Sequence, residues 1–437
     1  MSIALSLALS TLLLAPAIVA APSADASVSP DSGACTANHW VATWAASPTD
    51  SLTPIDAAGL PVPEALVDQT LRMIITPHLG GAELRVHLSN RFGSSVMAIG
   101  HVTVGIQTDG AAVKGIKQVT FGGKWSVGIP PGQDVVSDPV AITFAAFTPI
   151  VVSMYVPLSL SPPTKHFDAN ATSYYSLPLS GDLADQASGV GFPLLTDAWL
   201  YVDGLDVIAP PASRSIVAFG DSITDGWVAT TPASFPVTTS IANTNGRYPD
   251  DLQRRLDAAG IPISVVNAGI SSNRLLTNGE PLFLGLSGVL RFKEDALDLP
   301  GVSGVLVQEG INDLGLPPDS TADQVIAGYK ELIAQAHAAG TKIWLGTLLP
   351  ASNAIFDGVL LAPLSETYRE QINEWFRTQK LADGIVDFDA ALRDPANPAD
   401  LNPKYSGPDH LHPNLAGYQA MANTVNLRLV ASASPTC

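Results

Sequence analysis

Two hydrophobic patterns meet near the Pro210-Pro211 pair. From about Trp40 to Val207 the apolar positions come in short runs with period two. Leu84, Val86 and Leu88 alternate with Arg85 and His87 after Gly80-Gly81, and His101 to Gln107 and Ala141 to Phe144 are further β-rich runs. Alternation of that kind buries one face of a strand and leaves the other wet. Gly122-Gly123, Pro130-Pro131-Gly132 and Pro162-Pro163 break the runs at short intervals. The pattern predicts an all-β, sandwich-like accessory domain over residues 36–208.

After the proline pair, continuous apolar runs alternate with helical patterns. The predicted strands are Ile216 to Phe219, Ile263 to Val266, Gly304 to Val307, Ile343 to Leu348 and Ile385 to Phe388. The predicted helices are Tyr248 to Ala258, Val289 to Leu297, Thr321 to Ala339 and Leu364 to Thr378. Thr321 and Gln324 have capping-box spacing and Gly340 closes the same helix. Repeated strand and helix units imply an α/β domain over 213–432, with a parallel sheet flanked by helices.

Composition narrows the function classes. The chain of 437 residues carries 40 acidic against 22 basic side chains, a formal charge of -18, which disfavours nucleic acid and anionic membranes as partners. Residues 1–21, with an apolar stretch from Ile3 to Val19 and small residues at Ala20, Ala21 and Ala24, have the layout of a signal peptide without its basic leader. A membrane anchor is the competing reading, but Pro16 breaks the run, and no later segment has a comparable one. The expected product is a secreted, extracellular protein without stable membrane insertion. Cys35 and Cys437 could be joined in an oxidising compartment or remain two thiols. Asn170-Ala171-Thr172 is a single glycosylation sequon.

Candidate chemistry gathers at the ends of the predicted strands, where open parallel sheets bind ligands. Gly220-Asp221-Ser222 follows the first strand, Asn267-Ala268-Gly269 the second, Gly310-Ile311-Asn312-Asp313 the third, and Asp409-His410-Leu411-His412-Pro413 lies beyond the fifth. A serine hydroxyl needs a base to become nucleophilic near neutral pH. His412 can serve Ser222, and Asp409 can accept the imidazole Nδ1 proton and fix its tautomer. A developing oxyanion needs donors, and the N–H groups of Ser222 and Gly269 and the Asn312 amide are candidates.

These segments, GDSIT, NAGI, GIND and DHLHP in this order, resemble the blocks of the SGNH hydrolase superfamily, also called the GDSL family of lipases and esterases, from about Ser215 to Val430. WVATWAASP at Trp40 to Pro48 and LSNRFG at Leu88 to Gly93 are similar to the β domain of secreted two-domain members. The resemblance implies a flavodoxin-like sheet, a Ser222 nucleophile, a His412 base oriented by Asp409, an oxyanion hole of Ser222, Gly269 and Asn312, and no cofactor or metal. Thr224 replaces the second glycine of a GxSxG elbow, which argues against the ordinary α/β-hydrolase fold.

Neighbouring residues have competing uses. Asp221 and Asp225 are expected to stabilise the turn around Ser222, and His410 to be a surface residue of its loop. Asn273 and Arg274 are either substrate contacts or partners of nearby carboxylates. Glu309 and Asp313 invite a metal reading, but no histidine accompanies them at ligand spacing. Trp40, Trp44 and Trp125 are expected in packing rather than on a sugar-binding face, and the β-rich half shows no titratable cluster with catalytic spacing. The segment Trp227 to Gly246, rich in Thr, Ser, Ala and Pro, suggests a shallow, polar site. The expected activity is ester hydrolysis through an acyl-enzyme, on acetyl or other short-chain esters of carbohydrates or small molecules. A lipid or phospholipid acylhydrolase and an inactive carbohydrate-binding protein are the alternatives.

Overall fold

The five apolar runs after Pro211 pair as one parallel sheet. Its strands are Arg214–Gly220, Ile263–Gly269, Val302–Gln308, Lys342–Gly346 and Gly384–Val386. In spatial order the second strand flanks the first on one side and the third, fourth and fifth follow on the other, which is the flavodoxin-like order. This is a computed structural model of the chain, and it describes residues 35–50, 52–237, 241–279, 285–315, 320–355 and 364–433. The signal peptide expected at 1–21 and the Cys437 end of a possible bond to Cys35 lie outside the described residues.

The first three strands in chain order are buried at every position, because helices cover both faces. Alternate residues of one strand therefore enter different cores. Ile216 and Ala218 pack with Tyr248, Leu252 and Tyr418 on one face, while Val217 and Phe219 pack with Phe292, Tyr329 and Phe376 on the other.

Helix limits follow their caps. Tyr248–Ala258 begins where Asp250 Oδ2 accepts from Arg247 N–H and Nε–H. Ala322–Ala338 begins at the predicted box, in which Thr321 Oγ1 accepts from Gln324 N–H and Gln324 Oε1 accepts from Thr321 N–H. Two predictions change in detail. The fifth strand ends at Val386, because Asp387 accepts from Ala390 N–H and caps a helix over Phe388–Leu392. The helix expected over Val289 to Leu297 is an α-helical turn, Gly288–Phe292, running into a π-helical turn, Lys293–Leu297. Inside that π turn Asp295 accepts from Arg91 Nη1 at 2.7 Å, a contact from the β-rich region.

The β-rich region consists mainly of two antiparallel sheets. One contains His39–Ala45, Val202–Ala209 and Gly81–Ser89, and the other contains Leu66–Ile75, Ile150–Ser159 and His101–Asp109. Both line a single core, with Val41, Leu84, Val86 and Leu205 facing Leu71, Met73, Val104 and Val152, so the arrangement is a sandwich. Trp44 belongs to this core and meets Trp199 edge to face at 4.8 Å. Trp40 lies under the Arg85 guanidinium, and Trp125 is exposed and stacks on His101.

Contacts across the two regions are buried. Ala42 and Ala45 of the first strand sit in the core that contains Val217, Phe219 and Val266. His78 places Nδ1 2.5 Å from Val265 O and Nε2 3.0 Å from Asp250 Oδ1. The described residues accordingly form one compact unit.

Candidate active site

The crevice expected to bind a ligand lies beyond the first and third strands, where the winding direction of the sheet reverses. Gly220 ends the first of these. A Cβ there would stand 2.1 Å from Gln308 O and 2.4 Å from Thr224 Oγ1, so only glycine lets the strand turn into the Ser222–Asp225 helix. Asp221 caps that helix, its Oδ1 accepting from Ile223 N–H at 2.9 Å.

Ser222 and His412 meet with Oγ and Nε2 2.7 Å apart, and His412 Nδ1 is 2.6 Å from Asp409 Oδ2. A carboxylate can only accept, so Nδ1 carries the proton and Nε2 offers its lone pair to the serine hydroxyl. All three side chains are buried, Ser222 being 5% exposed. Asp409 also accepts from Ser234 Oγ and from the N–H groups of Leu411 and His412. Burial alone would raise its pKa, but the His412 charge and these hydrogen bonds hold it down at about 2. His410 is exposed with φ at +60° and lies apart from this chain of contacts.

Asn312 is buried in the short helix Ile311–Gly315, and its amide donates to Asn273 O at 2.8 Å. An amide nitrogen has two hydrogens, so one is left for a ligand. One expectation needs correction. Gly269 N–H is engaged by Asn267 Oδ1 at 2.8 Å, and a Cβ on Gly269 would fall 2.3 Å from Asp225 N. Glycine is required there for packing against the Ser222 helix, and its N–H is not available to an oxyanion.

Asn273 and Arg274, the candidate substrate contacts, are both buried, and the contacts they make are with the scaffold. Asn273 donates to Leu286 O and accepts from Arg291 Nε. Arg274 lends its charge to Asp313, which accepts from Leu275 and Leu276 N–H. Burial nevertheless pushes Asp313 up to about 6.

Arg291 had no signal in the sequence beyond its place in a helical pattern. Its guanidinium donates to Gly220 O and Ala268 O as well as Asn273, and so ties together the ends of two strands and the following loop. Beside it, Glu309 is pushed up to about 8 by burial, against the nearby Arg291 charge and with the help of Asp221 and Asp313.

Residues of the β-rich region reach the same site. His166 Nε2 is 2.9 Å from Asp225 Oδ1, and Asp225 Oδ2 accepts from Ser271 N–H and Oγ–H. Asp225 thus bridges separate segments in addition to closing the serine turn. Phe167 stacks on Trp227, which lies 6.0 Å from the His412 ring and joins Ala57, Ala229 and Val237 in a small apolar cluster. Of the described Trp227 to Gly246 segment, Trp227, Ala229 and Val237 join this cluster, while Ser234 reaches Asp409. Asn170 of the sequon is turned to Gly226 O, 3.3 Å away.

Residues 218–420 match the model of the GDSL-like lipase/acylhydrolase family. Similar solved structures include an aryl esterase from M. smegmatis in its inhibitor-bound form, 17% identical, covering 48% of this chain and 95% of that one with a TM-score of 0.38. A carbohydrate acetylesterase from Sinorhizobium meliloti is 18% identical, covering 48% and 95% with a TM-score of 0.37. A GDSL-like lipase from Bacteroides thetaiotaomicron is 20% identical, covering 50% and 88% with a TM-score of 0.35. No curated protein matches the chain.

Proposed function

We propose, from the match of residues 218–420 to the model of the GDSL-like lipase/acylhydrolase family, that the chain is a serine ester hydrolase working through an acyl-enzyme on Ser222. The observation that carries the reading is the continuous Ser222–His412–Asp409 chain, with links of 2.7 and 2.6 Å. His412 Nε2 takes the Ser222 proton as Oγ attacks the ester carbonyl carbon. The resulting oxyanion is met by Ser222 N–H and the second hydrogen of the Asn312 amide. Ser272, half-buried at φ +64°, is the next loop residue whose N–H can replace Gly269 in this role. His412 then protonates the leaving alcohol, and water, activated by the same histidine, releases the acid and restores Ser222.

For substrate, the reading is a short acyl group such as acetyl, on a carbohydrate or another small ester. Trp227 against the His412 ring, with Phe167 and Phe235 at 6.3 and 6.4 Å from it, supports a small apolar acyl site rather than an open groove. The apolar leader and acidic surface support secretion, with 36–208 and 213–432 as the two halves of the mature chain.

The test compares p-nitrophenyl acetate with long-chain p-nitrophenyl esters. Ser222→Ala is expected to lower kcat by about 10⁴-fold or more, with acetate the better ester. Equal turnover by the variant would refute the nucleophile, and preference for long chains would favour the lipid acylhydrolase. Acid release from acetylated polysaccharides against phospholipids then assigns the natural class.

A further inference from the structure

Asp225 ends the helix that begins at Ser222, and it is held from outside the α/β layers. His166 closes the Lys165–His166 strand of the β-rich region and is 4% exposed. Its Nδ1 stands 2.8 Å from Ser47 O, and its Nε2 is 2.9 Å from Asp225 Oδ1 and 3.0 Å from Asp168 O. Carbonyls and a carboxylate only accept, so all three contacts are hydrogen bonds when both ring nitrogens carry protons. That state is a buried imidazolium paired with a carboxylate.

The far side of the carboxylate reaches the site. Asp225 Oδ2 accepts from Ser271 N–H at 2.9 Å and Ser271 Oγ–H at 2.8 Å. Ser271 is followed by Ser272 and by Asn273, whose carbonyl accepts from the Asn312 amide. One carboxylate thus fastens the nucleophile helix to the loop beside Asn312. One imidazolium fastens the carboxylate.

Resting on the ester-hydrolase reading of Ser222, we propose that His166 is a positioning residue, whose charge holds Asp225 on Ser271 and so fixes Ser222 relative to the oxyanion donors. The other charged groups around it do not compete for this role. Arg247 is paired with Asp250. Asp168 meets the ring only through its backbone carbonyl, and Asp225 is the carboxylate in contact with it. Burial works against the charge on His166, yet Asp225 and the Ser47 carbonyl raise its pKa overall.

The experiment uses the full chain, p-nitrophenyl acetate, and the variants His166→Gln, Asp225→Asn and both together. Each single change is expected to lower kcat by about tenfold with KM within about twofold, because the misplaced groups act mainly on the transition state. The double variant should be no worse than the poorer single one, since the two side chains act as a unit. Phosphonylation of Ser222 by a small fluorophosphonate should slow in parallel. A merely structural role would lower the unfolding temperature without separating kcat from KM. Single variants within about twofold of the parent, or losses that multiply in the double variant, would overturn the inference while leaving the hydrolase reading intact. An inactive parent, or a fully active Ser222→Ala, would instead remove that reading. If the His166 and Asp225 variants do not fold, Ser271→Ala carries the test through the same carboxylate. It should lose about threefold in kcat at an unchanged unfolding temperature, and an unchanged kcat would overturn the inference.

Discussion

Asp409 illustrates how much one side chain must do at this site. Its two oxygens accept from His412 Nδ1, Ser234 Oγ and two backbone N–H groups, which leaves little freedom of rotation. Although burial opposes ionisation, these donors and the His412 charge keep its pKa at about 2. A carboxyl depressed in the folded state stabilises the fold above the ordinary range near 4, and that contribution disappears as pH falls through about 2. Asp409→Asn keeps the shape but presents an amide, and it can no longer hold the required imidazole tautomer. The expected result is a loss in kcat of about 10⁴-fold at neutral pH. Its unfolding temperature should lie below that of the parent at pH 7, with the gap closing toward pH 2. A variant whose stability deficit persists unchanged at low pH would show that the charge is not what Asp409 contributes. That Ser222, His412 and Asp409 would come together was legible in the sequence because each sits in a short motif near a strand end. The Gly269 role was misread because Asn267, two residues earlier, folds its side chain back onto that N–H. Nothing in the spacing of residue types announces such a contact.

Between elements, the end of the Ile263–Gly269 strand lies close against the Ser222–Asp225 helix. A Cβ at position 269 would meet Asp225 N at 2.3 Å and Asp225 Cα at 2.7 Å, both rigid backbone atoms. Gly269→Ala should therefore displace the helix that carries Ser222 and cost about 1–3 kcal/mol in stability, as overpacking does. Gly340 provides the control, because it has φ +71° at a helix end and open space around its missing Cβ. Gly340→Ala is expected to lower the unfolding temperature by the cost of a left-handed alanine and leave kcat unchanged. Thermal unfolding and p-nitrophenyl acetate turnover on both variants check this, and full activity in Gly269→Ala would contradict it. Element boundaries were readable where a cap set them, as at Thr321 and Gln324. They were less readable where tertiary contacts intervened. The π turn at Lys293–Leu297 has Asp295 bonded to Arg91, some two hundred positions earlier in the chain, and helical periodicity alone could not reveal it.

At the scale of the molecule, the β-rich region was expected to be an accessory domain, and its own alternating strands gave no reason to think otherwise. The contacts it makes argue for integration. His78 pairs with Asp250, Arg91 with Asp295 and His166 with Asp225, and in each pair at least one partner is almost completely buried. Separating the regions would leave Asp250 and Asp225 each without a paired histidine, and would expose Val217 and Phe219 where Ala42 and Ala45 cover them. Removing one partner of a buried pair costs about 3–5 kcal/mol, a large part of the stability of an ordinary domain. Neither region should then survive the unfolding of the other. Calorimetry on the full chain is expected to give a single transition, with calorimetric and van't Hoff enthalpies in agreement, whereas independent domains would give two. The transition should also respond to pH in a particular direction. His166 has a raised pKa in the folded state, so the stability it supplies is complete below the ordinary imidazole range and is lost as pH rises through the folded value. Asp225→Asn removes the partner that raises it, and should flatten this alkaline decline for the whole molecule rather than for one half. Two separate transitions, with only one of them altered by Asp225→Asn, would restore the picture of an accessory domain joined to a self-sufficient hydrolase.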